Sequence, residues 1–487
     1  MPFFRTFAVA GAALLIAGPP AVAQFPDTLS LSIETAVDLA LRAGDETRLA
    51  SAQVALTDAQ ITTARAGGLP QLRLLVTQSH VFENARAQAV GQIFNQPNTY
   101  NANASLSYAF FQGGRVRSAL RVASRSYEAA RMNVDEVRSQ IALDVQRAYV
   151  QALFAGRVTE IRGASYKLAA DRLQQVEQFQ QAGRAARYDV LRARVERSNL
   201  EPLVVEAANA RTLALLELKR LTNIPADREI ILTTTIDPGV VQVLLASVAD
   251  STAQPTRASV RAAELTVEAR QDAIDVARAD LWPTLAVAFQ SGYQAFPRAG
   301  LPTAFGSLDV VPCPPSAEPD QVCTRQNGGW FSDRSLAATM SWPIFDGMRA
   351  RGNIQLAQAQ AMIAETELAR EREQVAIEVA AARAELHRAR SLFGARRENA
   401  LEANEAFSLA SLRFGRGLGT QLEVSDAQLA LLTAQTDEAR SIYDLYLATA
   451  EMARALGKPI PFPPVTSART SSSQPVPPDA NAAIPPR

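Results

Sequence analysis

Two acidic residues have a spacing that would let them act together. Glu423 and Asp426 lie three positions apart in the segment GLGTQLEVSDA, and side chains at i and i+3 of a helix point the same way. Carboxylates held close together repel each other, which raises some of their pKa values and attracts cations. The related segment GRAARYDVLRA has Asp189 in the place of Glu423 and Arg192 in the place of Asp426. The pattern predicts either a cation-attracting site or a solvated charged face.

Residues for enzymatic chemistry are otherwise scarce. The histidines are His80 and His387, far apart in the pattern, and we find no nucleotide-binding loop, nucleophile elbow or cluster of metal ligands in the sequence. We therefore predict that the chain is not an enzyme and binds no cofactor or metal. The 49 basic and 49 acidic residues cancel, so the chain lacks the strong field that gathers nucleic acid, and we predict no nucleic-acid partner.

The first residues are typical of a secretory signal peptide. One Arg precedes an apolar run from Phe7 to Gly18, and Ala-Val-Ala stands before Gln24. This order predicts a signal peptide over residues 1–23. The apolar run is too short to span a bilayer comfortably, and no other stretch approaches the ~20 apolar residues of a membrane helix. We expect an exported chain without a transmembrane helix; an uncleaved anchor is the alternative.

The chain contains an internal repeat. Residues 64–76 read ARAGGLPQLRLLV, and residues 277–289 read ARADLWPTLAVAF. Further on, the segments FQGGRVR and FDGMRAR match at an offset of 234, and the same offset relates the two acidic segments. A register kept over such a distance indicates duplication. We divide the mature chain into a first repeat over 24–250 and a second over 251–460.

Each repeat contains a long amphipathic helical pattern. The stretches 98–201 and 344–458 have no proline and are rich in Ala, Leu, Gln, Glu and Arg, which favour helices. Apolar residues recur in them at helical spacing. Glycine is then the remaining helix breaker, which predicts hairpin turns at Gly183 and Gly417. A continuous helix up to the first of these turns would be about 100 Å long.

Shorter segments with a period of two precede these helices. Residues 100–110 and 335–344 alternate large apolar with small or polar side chains, as β-strands do, and the segments after Pro70 and Pro283 alternate more weakly. Strands of ~10 residues can cross a membrane at a tilt. Aromatic residues near the strand ends suit an interfacial girdle: Tyr100, Tyr108, Phe110, Tyr293 and Trp342.

Four such strands cannot close a barrel by themselves. Open strand edges are not tolerated in lipid, so several chains would have to share one barrel. A soluble sheet packed on a core is the alternative. The second loop between strands, over about 294–331, is longer than the first and holds the two cysteines, Cys313 and Cys323. In an oxidising compartment we expect these to pair; two free thiols are the alternative.

This ordered set of motifs, present in duplicate, resembles the TolC-like outer-membrane efflux protein family. The resemblance runs from about Leu31 to Pro459 and rests on the LP and WP turns into strands, the F-x-G-G-R and F-D-G-x-R exits into helices, and the G-x5-D-V and G-x5-E-V tips. It implies a membrane α/β barrel: a homotrimer with four transmembrane strands per chain, a twelve-stranded barrel in outer-membrane lipid, and a helical tunnel across the periplasm.

The resemblance also implies positions for the smaller segments. Residues 225–256 and about 31–50 would form a small equatorial region, and the loop over 294–331 would lie outside the cell. The tail over 461–487 is rich in Pro, Ser and Ala and is predicted to be disordered.

The resemblance further implies roles for the tip residues. It places Glu423, Asp426 and Asp189 at a narrow periplasmic gate, where threefold symmetry would gather the acids. The chain has Gly419 where some members have an Arg, and Arg187 in the other tip is a substitute. The tip residues expected to contact a periplasmic adaptor protein are Gly183, Arg187, Gly417 and Gly419.

The implied function is a passive duct for small molecules or drugs, which an inner-membrane pump delivers through the adaptor. Two alternatives stay open. One is the outer-membrane duct of a type I protein secretion system, and the other is a soluble periplasmic coiled-coil scaffold.

Overall fold

A computed structural model describes most of the chain. The described residues are 28–83, 85–90, 97–237, 239, 241, 243–244, 257–297, 300–302, 304–306, 308–310, 312, 323–326 and 329–463. The predicted signal peptide over 1–23, Cys313, and the predicted tail from residue 464 onward lie outside them.

Helices and strands follow the order expected of two repeats. The helices are α1 (Ile33–Ala43), α2 (Asp45–Ala66), α3 (Ala85–Val90), α4 (Arg115–Gln181), α5 (Arg187–Leu221), α6 (Ala258–Arg278), α7 (Arg349–Gly415) and α8 (Gln421–Ala455). The strands are β1 (Leu29–Leu31), β2 (Gln71–His80), β3 (Asn98–Gln112), β4 (Ile230–Leu232), β5 (Thr284–Ala295), β6 (Leu308–Val310), β7 (Thr324–Gln326) and β8 (Trp330–Ser341).

The two long hairpins are equal in length. Helices α4 and α7 each have 67 residues, and α5 and α8 each have 35. The turns at Gly183 and Gly417 have φ of 72° and 75°, a left-handed conformation that glycine adopts without a steric penalty. The predicted hairpins are confirmed. The first hairpin does not end at the proline that closes its proline-free stretch. Pro202 lies inside α5, and its side chain is exposed.

Four strands form one antiparallel sheet in the order β2-β3-β5-β8. Leu106 pairs with Phe289, which pairs with Leu336, so these apolar residues share a face. The predicted end of the last strand was wrong, because β8 runs from Trp330 to Ser341 rather than over 335–344. It stops before Pro343, which has no N–H to donate to a ladder.

The outer edges of this sheet have no neighbouring strand in the described chain, since β2 and β8 each pair on one side alone. Large apolar side chains of these edge strands are exposed; Leu72 and Leu336 keep 74% and 73% of their surface accessible. An isolated sheet of this kind leaves both hydrogen-bonding edges and an apolar face uncovered, which in lipid requires further strands.

Part of the predicted equatorial region packs against the long helix α4; residues 238, 240, 242 and 245–256 of it lie outside the described residues. Strands β1 and β4 pair in parallel, and Tyr149 of α4 forms hydrogen bonds with β1 and with the segment just after β4. Its hydroxyl donates to the Leu31 carbonyl at 2.8 Å and accepts from the Thr234 N–H at 3.1 Å. Tyr149 is fully buried, and burial raises its pKa although hydrogen bonds with Thr234 and Thr233 lower it. The largest hydrophobic cluster lies around it.

An ion network joins the two repeats above this region. The Arg257 side chain is 5% exposed and forms ion pairs with Glu136 of α4 and Glu378 of α7. Arg454 of α8 reaches the same two carboxylates at 3.4 and 3.2 Å. Burial opposes the charge of Arg257, but the hydrogen bonds and charges of the two glutamates outweigh it and raise its pKa.

Candidate functional site at the helical tips

The turns of the two hairpins have the same hydrogen-bond pattern. In the first, Arg184 N–H donates to the Phe179 carbonyl at 2.7 Å. In the second, Leu418 N–H donates to the Arg413 carbonyl at 2.8 Å. Each bond spans the last helical turn and a left-handed glycine, as in a Schellman motif. The chain therefore reverses in a short and defined turn, and the following helix begins at Arg187 or at Gln421.

Asp189 and Glu423 occupy equivalent places in the first turn of their helices. The Asp189 carboxylate accepts from the Ala186 N–H at 3.0 Å. The Glu423 N–H donates to the Thr420 hydroxyl at 3.3 Å, and the same hydroxyl donates to the Glu423 carboxylate at 3.4 Å. Acidic side chains at a helix N-terminus interact favourably with the helix dipole. Both residues therefore stabilise the beginning of their helices.

Asp426 lies one turn further along α8 and is exposed. The structure places it three residues after the exposed Glu423 on the same helix, which agrees with the predicted common direction of the two carboxylates. In the first hairpin the corresponding residue, Arg192, is half-buried. The acidic pair is therefore a feature of the second tip alone.

Sequence reasoning missed the ion-pair partner of Glu423. The Arg413 guanidinium lies 3.6 Å from the Glu423 carboxylate and 3.3 Å from the Leu418 carbonyl. The position four residues before Glu423 holds Gly419. The actual partner ends the preceding helix, and the turn brings it alongside. Arg187, the predicted substitute, is the first residue of α5 and is exposed.

Contacts between the hairpins hold the two tips together. Gln428 of α8 donates to the carbonyl and hydroxyl oxygens of Ser165 on α4, at 3.2 and 3.3 Å. Ser425 donates to Glu196 of α5 at 2.6 Å. The Phe414 ring packs on a cluster of the first hairpin and lies under the Arg172 guanidinium. The tips of one chain therefore form one packed unit.

The chain matches the family described as outer membrane efflux protein over residues 37–223 and 251–458. One range lies within each predicted repeat, and together the two ranges cover most of the chain. The chain belongs to the outer membrane efflux protein family. The predicted resemblance is confirmed.

Two relatives align with this chain over most of their own length. Nodulation protein T of Rhizobium leguminosarum bv. viciae is 24% identical over 85% of this chain and 80% of its own. Outer membrane protein OprJ of Pseudomonas aeruginosa is 26% identical over 85% of this chain and 82% of its own.

Solved channels of the family have the same fold. The outer membrane channel CmeC of Campylobacter jejuni superposes with a TM-score of 0.69 at 15% identity, over 87% of this chain and 85% of its own. VceC of Vibrio cholerae superposes with a TM-score of 0.67 at 20% identity, over 88% and 97%. The predicted combination of barrel strands and long helical hairpins is therefore confirmed.

Two further predictions concern transmembrane helices and the pairing of the two cysteines. In the portion of the chain that the structure describes, none of the helices has the length and apolarity needed to cross a membrane. In the loop between β5 and β8, Cys323 is disulfide-bonded. Cys313 lies outside the described residues, so the pairing of these two cysteines stays a prediction.

Proposed function

We propose that three copies of this chain form the outer-membrane channel of a tripartite efflux system. The observation that carries the proposal is a sheet of four membrane-length strands with two unpaired edges, joined directly to two helical hairpins. Three such sheets would pair edge to edge and give a closed barrel of twelve strands. The hairpins would continue the barrel as a tunnel into the periplasm.

The lengths of the elements fit this assignment. Strands β2, β3, β5 and β8 have 10, 15, 12 and 12 residues, and tilted transmembrane strands need about 9–11. A helix of 67 residues is about 100 Å long. Both long helices continue from the same side of the sheet, because β3 and β8 run in the same direction.

The cargo and the partners are inferred from the family. The Pseudomonas putida relatives include proteins named for pyoverdine export and for a toluene efflux pump. We infer that this chain likewise passes small molecules, that an inner-membrane pump supplies the energy, and that a periplasmic adaptor docks on the tips around Gly183, Arg187, Gly417 and Gly419. The Cys313–Cys323 disulfide would restrain the extracellular loop.

The gate is part of this proposal. In a trimer, Glu423 and Asp426 of three chains would contribute six carboxylates around one axis, and Asp189 would add three more in the facing tips. Such a ring would attract cations and repel anions. Within each chain, the Arg413 guanidinium partly neutralises the charge of Glu423. We therefore assign Asp426 the larger contribution to the negative potential of the ring.

Site-directed photocrosslinking in cells tests the duct assignment. A photoreactive amino acid at Arg187 of the first tip should capture an adaptor protein, and the transporter that co-purifies identifies the system. The same amino acid at Glu201, an exposed position on the same helix, is the matched control and should capture far less adaptor.

The identity of the captured partners decides between the open alternatives. Capture of an ATP-driven protein exporter would replace small-molecule efflux by protein secretion. Release of the chain from the outer-membrane fraction by a carbonate wash would support the soluble scaffold and overturn the proposal.

A further inference from the structure

The four membrane strands carry three charged residues. They are Arg73 on β2 and Asp333 and Arg334 on β8. Strand register puts Arg73 beside Ser105 and Asp333 in line with Asn103, on the polar face of the sheet. Successive side chains of a strand point to opposite faces, so Arg334 lies on the apolar face. Within these four described strands it is the one Lys, Arg, Asp or Glu on that face.

The neighbours of Arg334 change from apolar to polar along the strand. Arg334 pairs with Ser291 of β5, and its side chain is exposed. On the same face, two residues further from the loop, Leu336 faces Phe289, and two residues closer to the loop, Ser332 faces Tyr293. Arg334 therefore lies at the border between an apolar band and a polar, aromatic rim.

The Arg334 side chain can extend from the edge of the apolar band towards the headgroups of the outer leaflet. Strand β8 begins at Trp330, whose ring lies 6.4 Å from that of Tyr100. Aromatic residues of this kind mark the membrane interface. Arg334 is four residues further along, about 13 Å on the strand and about 10 Å in depth at a typical tilt. A long arginine side chain can extend back to the interface with its stem in the apolar layer.

We propose that Arg334 binds the phosphate of an anionic lipid in the outer leaflet, one lipid per chain and three per trimer. The inference rests on the proposed function, which places this sheet face in the outer membrane. A guanidinium offers a planar pair of donors that matches a phosphate. Asp333 cannot neutralise Arg334 from the opposite face, and the hydroxyls of Ser291 and Ser332 lie on the same face as further donors.

Native mass spectrometry of the detergent-solubilised full-length protein tests this site. The delipidated protein is titrated with bisphosphorylated lipid A, with dephosphorylated lipid A, and with phosphatidylcholine. The variants are Arg334→Ala, Arg334→Lys and, as the matched control on the opposite face, Arg73→Ala. We expect the wild type to bind three phosphorylated lipids per trimer preferentially. Arg334→Ala should weaken this binding about tenfold or more, as loss of a charge-assisted hydrogen bond does.

The remaining arms separate the possible outcomes. Arg334→Lys should bind with an affinity between those of the wild type and Arg334→Ala, because it keeps the charge but loses the planar pair of donors. Arg73→Ala should bind as the wild type does. Inorganic phosphate at the lipid concentration should not displace the lipid. Equal affinity of the wild type for phosphorylated and dephosphorylated lipid A, or equal binding by Arg334→Ala and the wild type, would overturn the inference. A monomer in the same spectra would instead count against the proposed channel.

Discussion

Removing Arg257 should destabilise the junction of the two repeats. The perturbation is Arg257→Ala, which leaves Glu136 and Glu378 with Arg454 as their one shared cation. The Arg257 side chain is 5% exposed, and the two glutamates are 24% and 29% exposed. Breaking a buried ion pair by deleting one partner costs about 3–5 kcal/mol. The lower end applies, because Arg454 remains and the glutamates retain some contact with water.

Hydrogen exchange is the assay for this change. A loss of about 3 kcal/mol raises the population of locally open states roughly 100-fold. Exchange should accelerate by that factor in peptides around residues 136, 378 and 454 and stay unchanged at the tips. Arg261→Ala is the matched control, since the Arg261 side chain is 53% exposed and Glu264 keeps Arg372 as a second partner; ion pairs of exposed side chains contribute about 0–1 kcal/mol. If exchange accelerated equally in both variants, the ion network would not stabilise the junction of the two repeats.

The same network predicts loss of stability in acid. Burial raises the pKa of Glu378, but hydrogen bonds from Arg257 and Gln374 and the charges of Arg257 and Arg454 outweigh it and hold the pKa below its ordinary value of 4.5. A depressed carboxyl pKa means that the folded state binds fewer protons than the unfolded state near that value. The contribution of Glu378 is therefore complete above about pH 4.5 and is lost as the pH falls through the folded pKa. Arg454 and Gln374 remain beside Glu378 in Arg257→Ala. Protection against exchange, measured from pH 7 downward, should therefore fall less in this variant than in the wild type.

Two further predictions concern the gate and the equatorial region. Replacing Glu423 and Asp426 by Ala should weaken both cation selectivity and periplasmic divalent-cation block in planar bilayers, while Glu201→Ala changes neither; unchanged selectivity in the double variant would make the acids a solvated face. Tyr149→Phe leaves the Thr234 N–H without its acceptor and should cost about 1–3 kcal/mol in urea unfolding followed by circular dichroism, against almost nothing for the exposed Tyr188→Phe. An equal effect of the two tyrosine substitutions would show that the hydrogen bonds of Tyr149 to Leu31 and Thr234 do not stabilise the fold.

The long elements could be predicted from the sequence because their signals are local. Proline is absent from the stretches that became α4 and α7, and the left-handed turns favour glycine at Gly183 and Gly417. The period of two sufficed for β3. It failed for the start of β8, where Trp330 and Phe331 are adjacent aromatic residues and pairing with β5 decides the strand.

Contacts between distant segments could not be predicted, because no local pattern in the sequence indicates them. Arg413 reaches Glu423 across a turn whose geometry the sequence does not display. The network of Arg257 joins residues from Glu136 to Arg454, and four charged residues so far apart have no recognisable spacing. Trp342, expected in the last strand, lies beyond it and donates to the Leu281 carbonyl at 3.2 Å.

The most direct test of the account is the mass of the protein particle in mild detergent. Two sheet edges per chain that are unpaired among the described residues require several chains to close one barrel, and the proposed channel has three. Light scattering coupled to size-exclusion chromatography should therefore give three chain masses for protein extracted from the outer membrane. A stable monomer extracted from the same membrane would contradict the shared barrel and the duct built on it.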